Sequence, residues 1–289
     1  MPPRFIKFHG FGNDYIVIES SQLASVQNLG DFARRICDRH YGAGGDGIAV
    51  VTPSSDADSD FGVRIFNPDS SEAGLSGNGT RCAAAYLYYQ NLWSAEELRL
   101  KMRTGIKRYF LREKNEGKFI FDSELGNPLF ENNSIPMLTE EPLDRVVGYP
   151  LVVAGKTIPV TAMQMGNPVC CIFVDSFDEL DWRGVGPQIE NHKRFPDRTN
   201  VVFIKVLDRK TIELRIWERG VGETSASGSC SCAAAVASMV NNKTDRLLTA
   251  ETPGGKVKIQ WRDDNEVVIT GRAEVIYSGD WLAPVQSQR

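Results

Sequence analysis

The chain has 289 residues, of which 42% are hydrophobic and 24% charged, with a formal net charge of −4. This length suits two domains that each bury a core, and the slightly acidic balance gives no reason to expect a nucleic acid or an anionic membrane as partner. We find no signal-peptide pattern, no apolar run of membrane-spanning length and no Cys-x-x-Cys zinc pair among the six cysteines, so we expect a reduced, cytoplasmic protein.

The first half is predicted to contain seven strands and two helices. Hydrophobic periodicity predicts a helix over Asn28–Arg39, and an Ala-rich helix is predicted over Asn78–Asn91. The Gly-rich segment Tyr41–Gly47 leads into a strand and not into a helix, so it lacks the pattern of a nucleotide-binding loop. The predicted strands are Arg4–Gly10, Tyr15–Glu19, Ile48–Thr52, Gly62–Asn67, Leu98–Arg103, Lys107–Arg112 and Lys118–Asp122.

An irregular, proline-containing segment, Gly126–Pro142, marks the predicted domain boundary. We therefore expect one domain over residues 1–125 and a second over 126–272, with the tail 273–289 returning to the first. Helices are predicted over Leu180–Lys193 and Ser229–Asn241. The predicted strands are Pro150–Val153, Lys156–Met163, Cys170–Val174, Thr199–Val206, Thr211–Trp217, Leu247–Thr252, Lys256–Trp261 and Glu266–Gly271.

One stretch of the sequence occurs twice. Residues 64–87 and 215–238 each read as an Arg-Ile-aromatic strand, a polar Gly-rich turn and an Ala-rich helix, and Ser76 aligns with Ser227. A weaker echo aligns Gly12–Val17 with Gly166–Cys171. Two echoes in the same order predict a duplicated domain. The fold class we predict is α+β, with two pseudo-symmetric domains that each wrap a mainly antiparallel, curved sheet or barrel around a central helix.

The repeated turns predict an anion site. A Gly-rich turn that enters a helix presents backbone N–H groups without intrahelical partners at the positive end of the helix dipole. Ser76 and Ser227 precede the glycines Gly77 and Gly228 of the two turns. Two equivalent groups related by a pseudo-dyad can address opposite faces of one bound carbon, which is the geometry for removing a proton from one face and returning a proton to the other.

The chain resembles the diaminopimelate epimerases, a family of the proline racemase and diaminopimelate epimerase superfamily. The segments that carry the resemblance are Lys7–Asp14, Asp38–Gly44, Asn67–Cys82, Gly166–Pro168, Thr199–Asn200 and Glu218–Thr224. It implies two similar halves, each a sheet wrapped around a helix. It also implies interconversion of LL- and meso-2,6-diaminopimelate for lysine and peptidoglycan synthesis, without pyridoxal phosphate or metal, by a protein that can form a homodimer.

The resemblance assigns the two catalytic bases to Ser76 and Ser227, where the family has cysteines. Val169 stands where the family has a histidine. A hydroxyl is harder to ionise than a thiol and needs an adjacent base. Glu72 and Glu223, each four residues before its serine, could supply that base. Cys230 stands where the family has glycine, and we interpret it as a poor replacement base.

The resemblance also implies a set of substrate-binding residues. Glu218 resembles the residue that meets the α-ammonium group, and Arg219 is placed for a bidentate contact with a carboxylate. The distal end of the substrate is assigned to Asn13, Asn67, Asn167, Asn200 and Arg219, and the α-carboxylate to Gly77, Asn78, Gly228 and Ser229. Each asparagine alone is also an ordinary turn residue.

Because both base positions hold serine, three functions stay open. The leading one is a diaminopimelate epimerase in which Ser76 and Ser227 form the acid–base pair. The second is a racemase or dehydratase for another amino acid, since dehydration requires a base on one face only. The third is a non-catalytic homologue that binds an amino acid.

Overall fold

The computed structural model describes residues 2–74, 76–178 and 180–282, and the chain divides into two compact units. The first unit comprises Met1–Ser123 together with the chain from Thr270 onward, and the second is Glu124–Ile269. In the predicted tail, residues 283–289 lie outside the described residues.

The first unit is built from strands, two α-helices and a short 3-10 helix over Ser20–Leu23. The strands are β1 (Arg4–Gly10), β2 (Asn13–Glu19), β3 (Gly47–Pro53), β4 (Phe61–Phe66), β5 (Glu72–Ala73), β6 (Glu97–Met102), β7 (Gly105–Asn115) and β8 (Lys118–Gly126). The helices are α1 (Leu29–Ile36) and α2 (Gly77–Tyr89). The short strand β5 is an addition to the predicted elements.

The second unit repeats this order of elements. Its strands are β9 (Val146–Val153), β10 (Lys156–Gln164), β11 (Pro168–Phe173), β12 (Asn200–Asp208), β13 (Thr211–Glu218), β14 (Gly222–Thr224), β15 (Leu247–Thr252), β16 (Gly255–Trp261) and β17 (Val267–Asp280). Its helices are α3 (Trp182–Glu190) and α4 (Gly228–Val240). Strand β17 runs beyond the predicted end at Gly271, and its residues from Thr270 belong to the first unit.

Eight strands of the first unit close into a barrel. Strand β1 pairs antiparallel with both β2 and β17, β2 pairs parallel with β3, and β3 pairs antiparallel with β4. Strand β4 continues in parallel to β6, followed by the antiparallel pairs β6–β7 and β7–β8, and β8 pairs with β17. The second unit has the same alternation, with parallel pairs at β11–β12 and β13–β15.

The Ala-rich helices α2 and α4 lie in the cores of the two units. Ala83–Ala85 of α2 and Ala233–Ala235 of α4 are fully buried among side chains from the surrounding strands. Small side chains on all sides of a helix allow strands to approach it closely. The predicted fold class, a curved sheet around a central helix in each half, is therefore confirmed.

The other two helices pack on separate apolar clusters. Helix α1 packs with Phe5, Ile16 and Ile48. Helix α1 ends at Ile36 and not at the predicted Arg39. The reason is that the Asp38 side chain accepts hydrogen bonds from the backbone N–H groups of residues 40 and 41, which closes a turn there.

Helix length bears on membrane insertion. The longest helices, α2 and α4, have 13 residues each, whereas a bilayer span requires about 20 apolar residues. No helix in the described part of the chain is long and apolar enough to cross a membrane.

Candidate active site

The first turn places Ser76 at the N-cap of α2. The backbone of Ser76 is extended, and its Oγ accepts a hydrogen bond from the Gly79 N–H at 3.1 Å. Its carbonyl accepts from the Thr80 N–H. Among the described residues, the N–H groups of Gly77 and Asn78 have no hydrogen-bond partner. The turn thus presents two free donors and one hydroxyl at the positive end of a helix, which suits a carboxylate.

A buried tyrosine contacts Ser76. The Tyr15 Oη lies 2.9 Å from Ser76 Oγ, and Tyr15 is only 5% exposed. A Cβ added at Gly47 or Gly79 would lie 2.7 or 2.8 Å from a carbon of the Tyr15 ring, so both positions require glycine. Burial raises the pKa of Tyr15 to about 12. The phenol therefore stays protonated at neutral pH.

Asn13 and Asn78 contact one another beside this turn. Asn78 Nδ2 donates to Asn13 Oδ1 at 3.2 Å, and Asn13 Nδ2 donates to Asp46 Oδ2 at 2.7 Å. Asn78 Oδ1 accepts from Arg81 Nη1 at 2.8 Å. The structure thus joins two of the predicted site residues in one hydrogen-bonded chain whose amide orientations are fixed at both ends.

Asp14 supports these hydrogen-bonded residues through an arginine that it shares with Asp46. Lys7 Nζ lies 2.7 Å from Asp14 Oδ2, and Arg39 donates to both Asp14 and Asp46. Burial alone would raise the pKa of Asp14, but the hydrogen bonds from Arg39 and Lys7 outweigh it and lower the pKa to about 2. The carboxylate is consequently ionised at any physiological pH.

Asn67 has a local role in the structure. Its Nδ2 donates to Ser71 Oγ at 2.9 Å, and its carbonyl accepts from the Ser70 N–H, which closes the turn before β5. Ser70 has φ +75°, a conformation that a residue with a side chain rarely adopts. No hydrogen bond among the described residues joins Asn67 to Asn13, Asn78 or Ser76.

The second turn places Ser227 at the N-cap of α4, with a different partner. Ser227 has the same extended backbone as Ser76 but makes no side-chain cap. Instead, Ser227 Oγ donates to Glu218 Oε2 at 3.0 Å. Within the described part of the chain, the N–H groups of Gly228, Ser229 and Cys230 have no hydrogen-bond partner. This turn therefore presents three free donors and a hydroxyl bonded to a carboxylate.

Glu190 fixes the segment that carries Glu218. Glu190 is 6% exposed, and its carboxylate accepts from Trp217 Nε1 and from the Gly220 N–H, each at 2.8 Å. Arg198 Nη1 adds a third contact at 3.2 Å. Because the two main donors come from either side of Glu218, this one buried carboxylate holds both ends of the segment.

Arg219 is held by neighbours but has no carboxylate partner in the described residues. Its backbone N–H donates to Asn200 Oδ1, and its Nη1 donates to the Asp197 carbonyl, both at 2.8 Å. Arg219 and Asn200 are thus brought together. Its Nε and Nη2 donate to no described residue, and a guanidinium with such donors suits a bidentate contact with a carboxylate.

The Gly166–Pro168 turn connects β10 to β11. Asn167 is exposed there, its carbonyl accepts from the Met165 N–H, and its side chain has no hydrogen bond to another described residue. Val169, one step further, is fully buried in the core around α4. The residue that replaces the expected histidine is therefore a packing residue.

Comparison with known proteins decides the family. The sequence profile of a family described as diaminopimelate epimerase matches residues 5–128 and 161–276. A protein named diaminopimelate epimerase from Pelotomaculum thermopropionicum is 40% identical over 278 residues, which cover 96% of this chain and 98% of that relative. The chain belongs to the diaminopimelate epimerase family. The predicted resemblance is confirmed.

Solved structures show the same fold at low sequence identity. A phenazine biosynthesis protein of the PhzF family from Bacillus anthracis matches with a TM-score of 0.65 and 17% identity, over 98% of this chain and 100% of that chain. A hydroxyproline epimerase from Agrobacterium vitis, solved with bound trans-4-hydroxy-L-proline, matches with a TM-score of 0.61 and 12% identity, over 98% and 93%. The diaminopimelate epimerase-like fold is thus shared with proteins of other names.

Within this family member, Glu72 and Glu223 are not the partners of the serines, contrary to the hypothesis from sequence. Glu72 accepts two hydrogen bonds from Arg64, and Glu223 accepts two from Arg183. The arginine hydrogen bonds lower the pKa of both carboxyl groups. Each glutamate is therefore bound in an ion pair with an arginine of another element, Arg64 of β4 or Arg183 of α3, and not to its serine.

Cys230 does not replace the missing thiols. Its side chain is fully buried, and burial raises its pKa to about 12. It therefore stays a neutral thiol, in agreement with the interpretation from sequence.

Sequence reasoning missed Tyr15 and Glu190. Tyr15 lies 61 residues from Ser76 along the chain, and the only signal was its position directly after the Gly-Asn-Asp turn. Glu190 lies at the end of a helix that is otherwise apolar on its buried face. An acidic residue at a buried helical position was the available signal, since such residues are rarely buried without partners.

Proposed function

We propose that this chain interconverts LL- and meso-2,6-diaminopimelate, by removing the proton from one face of the α-carbon and returning a proton to the other. The observation that carries the proposal is that the family match covers both halves of the chain and that each half holds a serine hydroxyl at the N-terminus of its central helix. Such a reaction would supply precursors of lysine and peptidoglycan.

In this proposal the turns bind the α-carboxylate. The free N–H groups of Gly77, Asn78, Gly228 and Ser229 are the donors, and the two helix dipoles favour the negative charge. Arg219 and the asparagines Asn13, Asn67, Asn167 and Asn200 are assigned to the distal end of the substrate. Arg219 fits this role because its guanidinium has no carboxylate partner in the described part of the protein.

Ser227 is proposed as the stronger base because Glu218 can take its proton. When Ser227 Oγ accepts the α-proton, its own hydroxyl proton moves to Glu218 Oε2, 3.0 Å away. The other carboxylate oxygen, Oε1, has no hydrogen bond to a described residue and is available for the α-ammonium group of the substrate. One carboxylate thus serves both the base and the substrate.

Ser76 is proposed as the group that returns a proton on the opposite face. It accepts from the Gly79 N–H and contacts a protonated phenol, so nothing beside it draws its proton away. No pyridoxal phosphate or metal is assigned a role in these steps.

The proposal includes a cytoplasmic location. All six cysteines lie in the described residues, and all are buried and free of disulfides. Free cysteines are usual in a reducing compartment.

The proposal is tested by α-deuterium uptake. The purified protein is incubated in D₂O with diaminopimelate and with a panel of L- and D-amino acids, and mass spectrometry follows the α-position. We expect uptake in diaminopimelate, lost in Ser76→Ala and Ser227→Ala. Uptake only in another amino acid would assign a different substrate, and no uptake with diaminopimelate still raising the melting temperature would show a binding protein.

A further inference from the structure

The contacts of Ser76 determine where its proton points. Ser76 Oγ has two neighbours among the described residues, the Gly79 N–H at 3.1 Å and Tyr15 Oη at 2.9 Å. The amide can only donate. For the phenol, the distance alone leaves open which of the two oxygens is the donor.

The burial of the Tyr15 hydroxyl decides which oxygen is the donor. In the described part of the chain, Ser76 Oγ is the one partner of the buried Tyr15 hydroxyl. If Ser76 donated to Tyr15, the phenolic proton would be buried without an acceptor, and such a buried donor is costly. If Tyr15 donates, its proton is satisfied, and the Ser76 proton is directed away from both neighbours, toward the partly exposed side of the turn.

We infer that Tyr15 is a positioning residue that donates a hydrogen bond to Ser76, keeps the Ser76 proton facing the substrate and re-protonates Ser76 after that proton has been transferred. This inference rests on the proposed function. The ring lies so close to Gly47 and Gly79 that a Cβ at these positions would be 2.7 or 2.8 Å from a ring carbon. Position 169, which aligns with Tyr15 in the second half, holds valine, so this arrangement occurs in one half only.

The electron pair of the substrate carbanion takes the Ser76 proton, forming the new C–H bond, while the electrons of the broken O–H bond stay on Ser76 Oγ. The Tyr15 O–H then gives its proton to Oγ and leaves a phenolate, which takes a proton from water after the product has left. Glu218, protonated through Ser227 in the first step, releases its proton to water.

The order of acidities supports this transfer. Although burial raises the pKa of Tyr15 to about 12, a phenol remains a stronger acid than an aliphatic hydroxyl such as that of Ser76. Transfer from the phenol to a Ser76 alkoxide is therefore downhill. The Gly79 N–H and the α2 dipole stabilise the alkoxide until the transfer occurs, as in an oxyanion hole.

The test is a double-mutant cycle in which a thiol replaces the hydroxyl. Wild type, Tyr15→Phe, Ser76→Cys and the double variant are compared for kcat and KM with LL- and meso-diaminopimelate. A thiol ionises readily and requires no phenol. We expect Tyr15→Phe to lower kcat about 10²-fold in wild type, in line with removal of one stabilising donor, and less than about tenfold in the Ser76→Cys background, with KM unchanged.

The Tyr15→Phe substitution removes one oxygen and keeps the aromatic ring next to Gly47 and Gly79. A melting curve checks that the fold is retained. Tyr86→Phe is the matched control, because Tyr86 is a buried tyrosine of α2 whose hydroxyl bonds to Glu19. Its kcat should equal that of wild type.

Other results would overturn the inference in distinct ways. An equal loss of kcat from Tyr15→Phe in both backgrounds would mean that the hydroxyl acts on packing and not on the proton of Ser76. Unchanged kcat in Tyr15→Phe would refute the role of Tyr15 and leave the proposed function standing. No turnover of diaminopimelate by wild type would refute the proposed function, and this inference with it.

Discussion

The turns at Ser76 and Ser227 share a backbone and differ in the chemistry around the hydroxyl. Both serines are N-caps of Ala-rich, 13-residue helices with free N–H groups beside them. Ser76 is bonded to a phenol and an amide, whereas Ser227 is bonded to a carboxylate. A duplicated scaffold thus keeps the same N-cap backbone while single side chains give the two hydroxyls different hydrogen-bond partners.

Two aligned positions account for the difference. Tyr15 aligns with Val169, so only the first half has the phenol, and Glu218 aligns with Asn67, so only the second half has the carboxylate. Asn67 is instead bonded to Ser71 within its own turn. The assignment of base to one serine and acid to the other follows from these two pairs.

The largest expected effect is the loss of the carboxylate-bonded hydroxyl. Ser227→Ala should lower α-deuterium uptake about 10³-fold, within the range of a lost general base, for the stereoisomer whose α-proton Ser227 removes. Uptake is measured in D₂O with each stereoisomer. Ser225→Ala, at an exposed serine of the same segment, is the control and should match wild type. Equal uptake by Ser227→Ala and wild type would contradict the assignment of the base.

Glu218→Gln sharpens the comparison by removing the proton acceptor while keeping a side chain of similar size. We expect kcat to fall about 10²-fold, because Ser227 loses the base that activates it. Glu223→Gln is the matched control, since Glu223 is bonded to Arg183 and to neither serine. Steady-state kinetics of the two variants decide the point, and equal kcat values would show that the Ser227–Glu218 contact is not used.

Glu190→Gln tests the support of the second turn. The amide can accept from only one of Trp217 Nε1 and the Gly220 N–H, and its NH₂ group must face the other donor. We expect the free energy of unfolding to fall by about 2 kcal/mol and KM to rise, because Glu218 and Arg219 are less well fixed. Urea unfolding and kinetics measure both. Gln188→Ala, at an exposed position of α3, should change neither.

Asp14 gives the first turn a different kind of support, and it predicts a pH dependence. Its folded-state pKa of about 2 lies below the reference value of 3.8, so its stabilising effect, about 2 kcal/mol, is complete above pH 4 and is lost as the pH falls through 2. The stability difference between wild type and Asp14→Asn should shrink over this interval in denaturant titrations. A difference that stays constant from pH 5 to pH 2 would exclude the ion-pair explanation.

The fold and the positions of the two hydroxyls could be predicted from sequence because both depend on local patterns. Periodicity places strands and helices, and the repeated Gly-rich turn before an Ala-rich helix places both serines beside a helix N-terminus. The partners of the hydroxyls depend on contacts distant in sequence. Glu223 is four residues from Ser227 but bonds to Arg183, whereas Glu218, nine residues away, is brought back to Ser227 by the hairpin of β13 and β14. The spacing of residues along the chain therefore does not predict that Glu218 lies beside Ser227.

Strand β17 has a consequence for the order in which the protein forms on the ribosome. The second unit is continuous in sequence, so its residues are all available once Ile269 has been synthesised. The first barrel needs the last part of β17 to pair with β1, so it stays open although its other strands are made first. We expect the domain that begins synthesis to finish folding last, and until then the β1 edge is exposed to pairing with other chains.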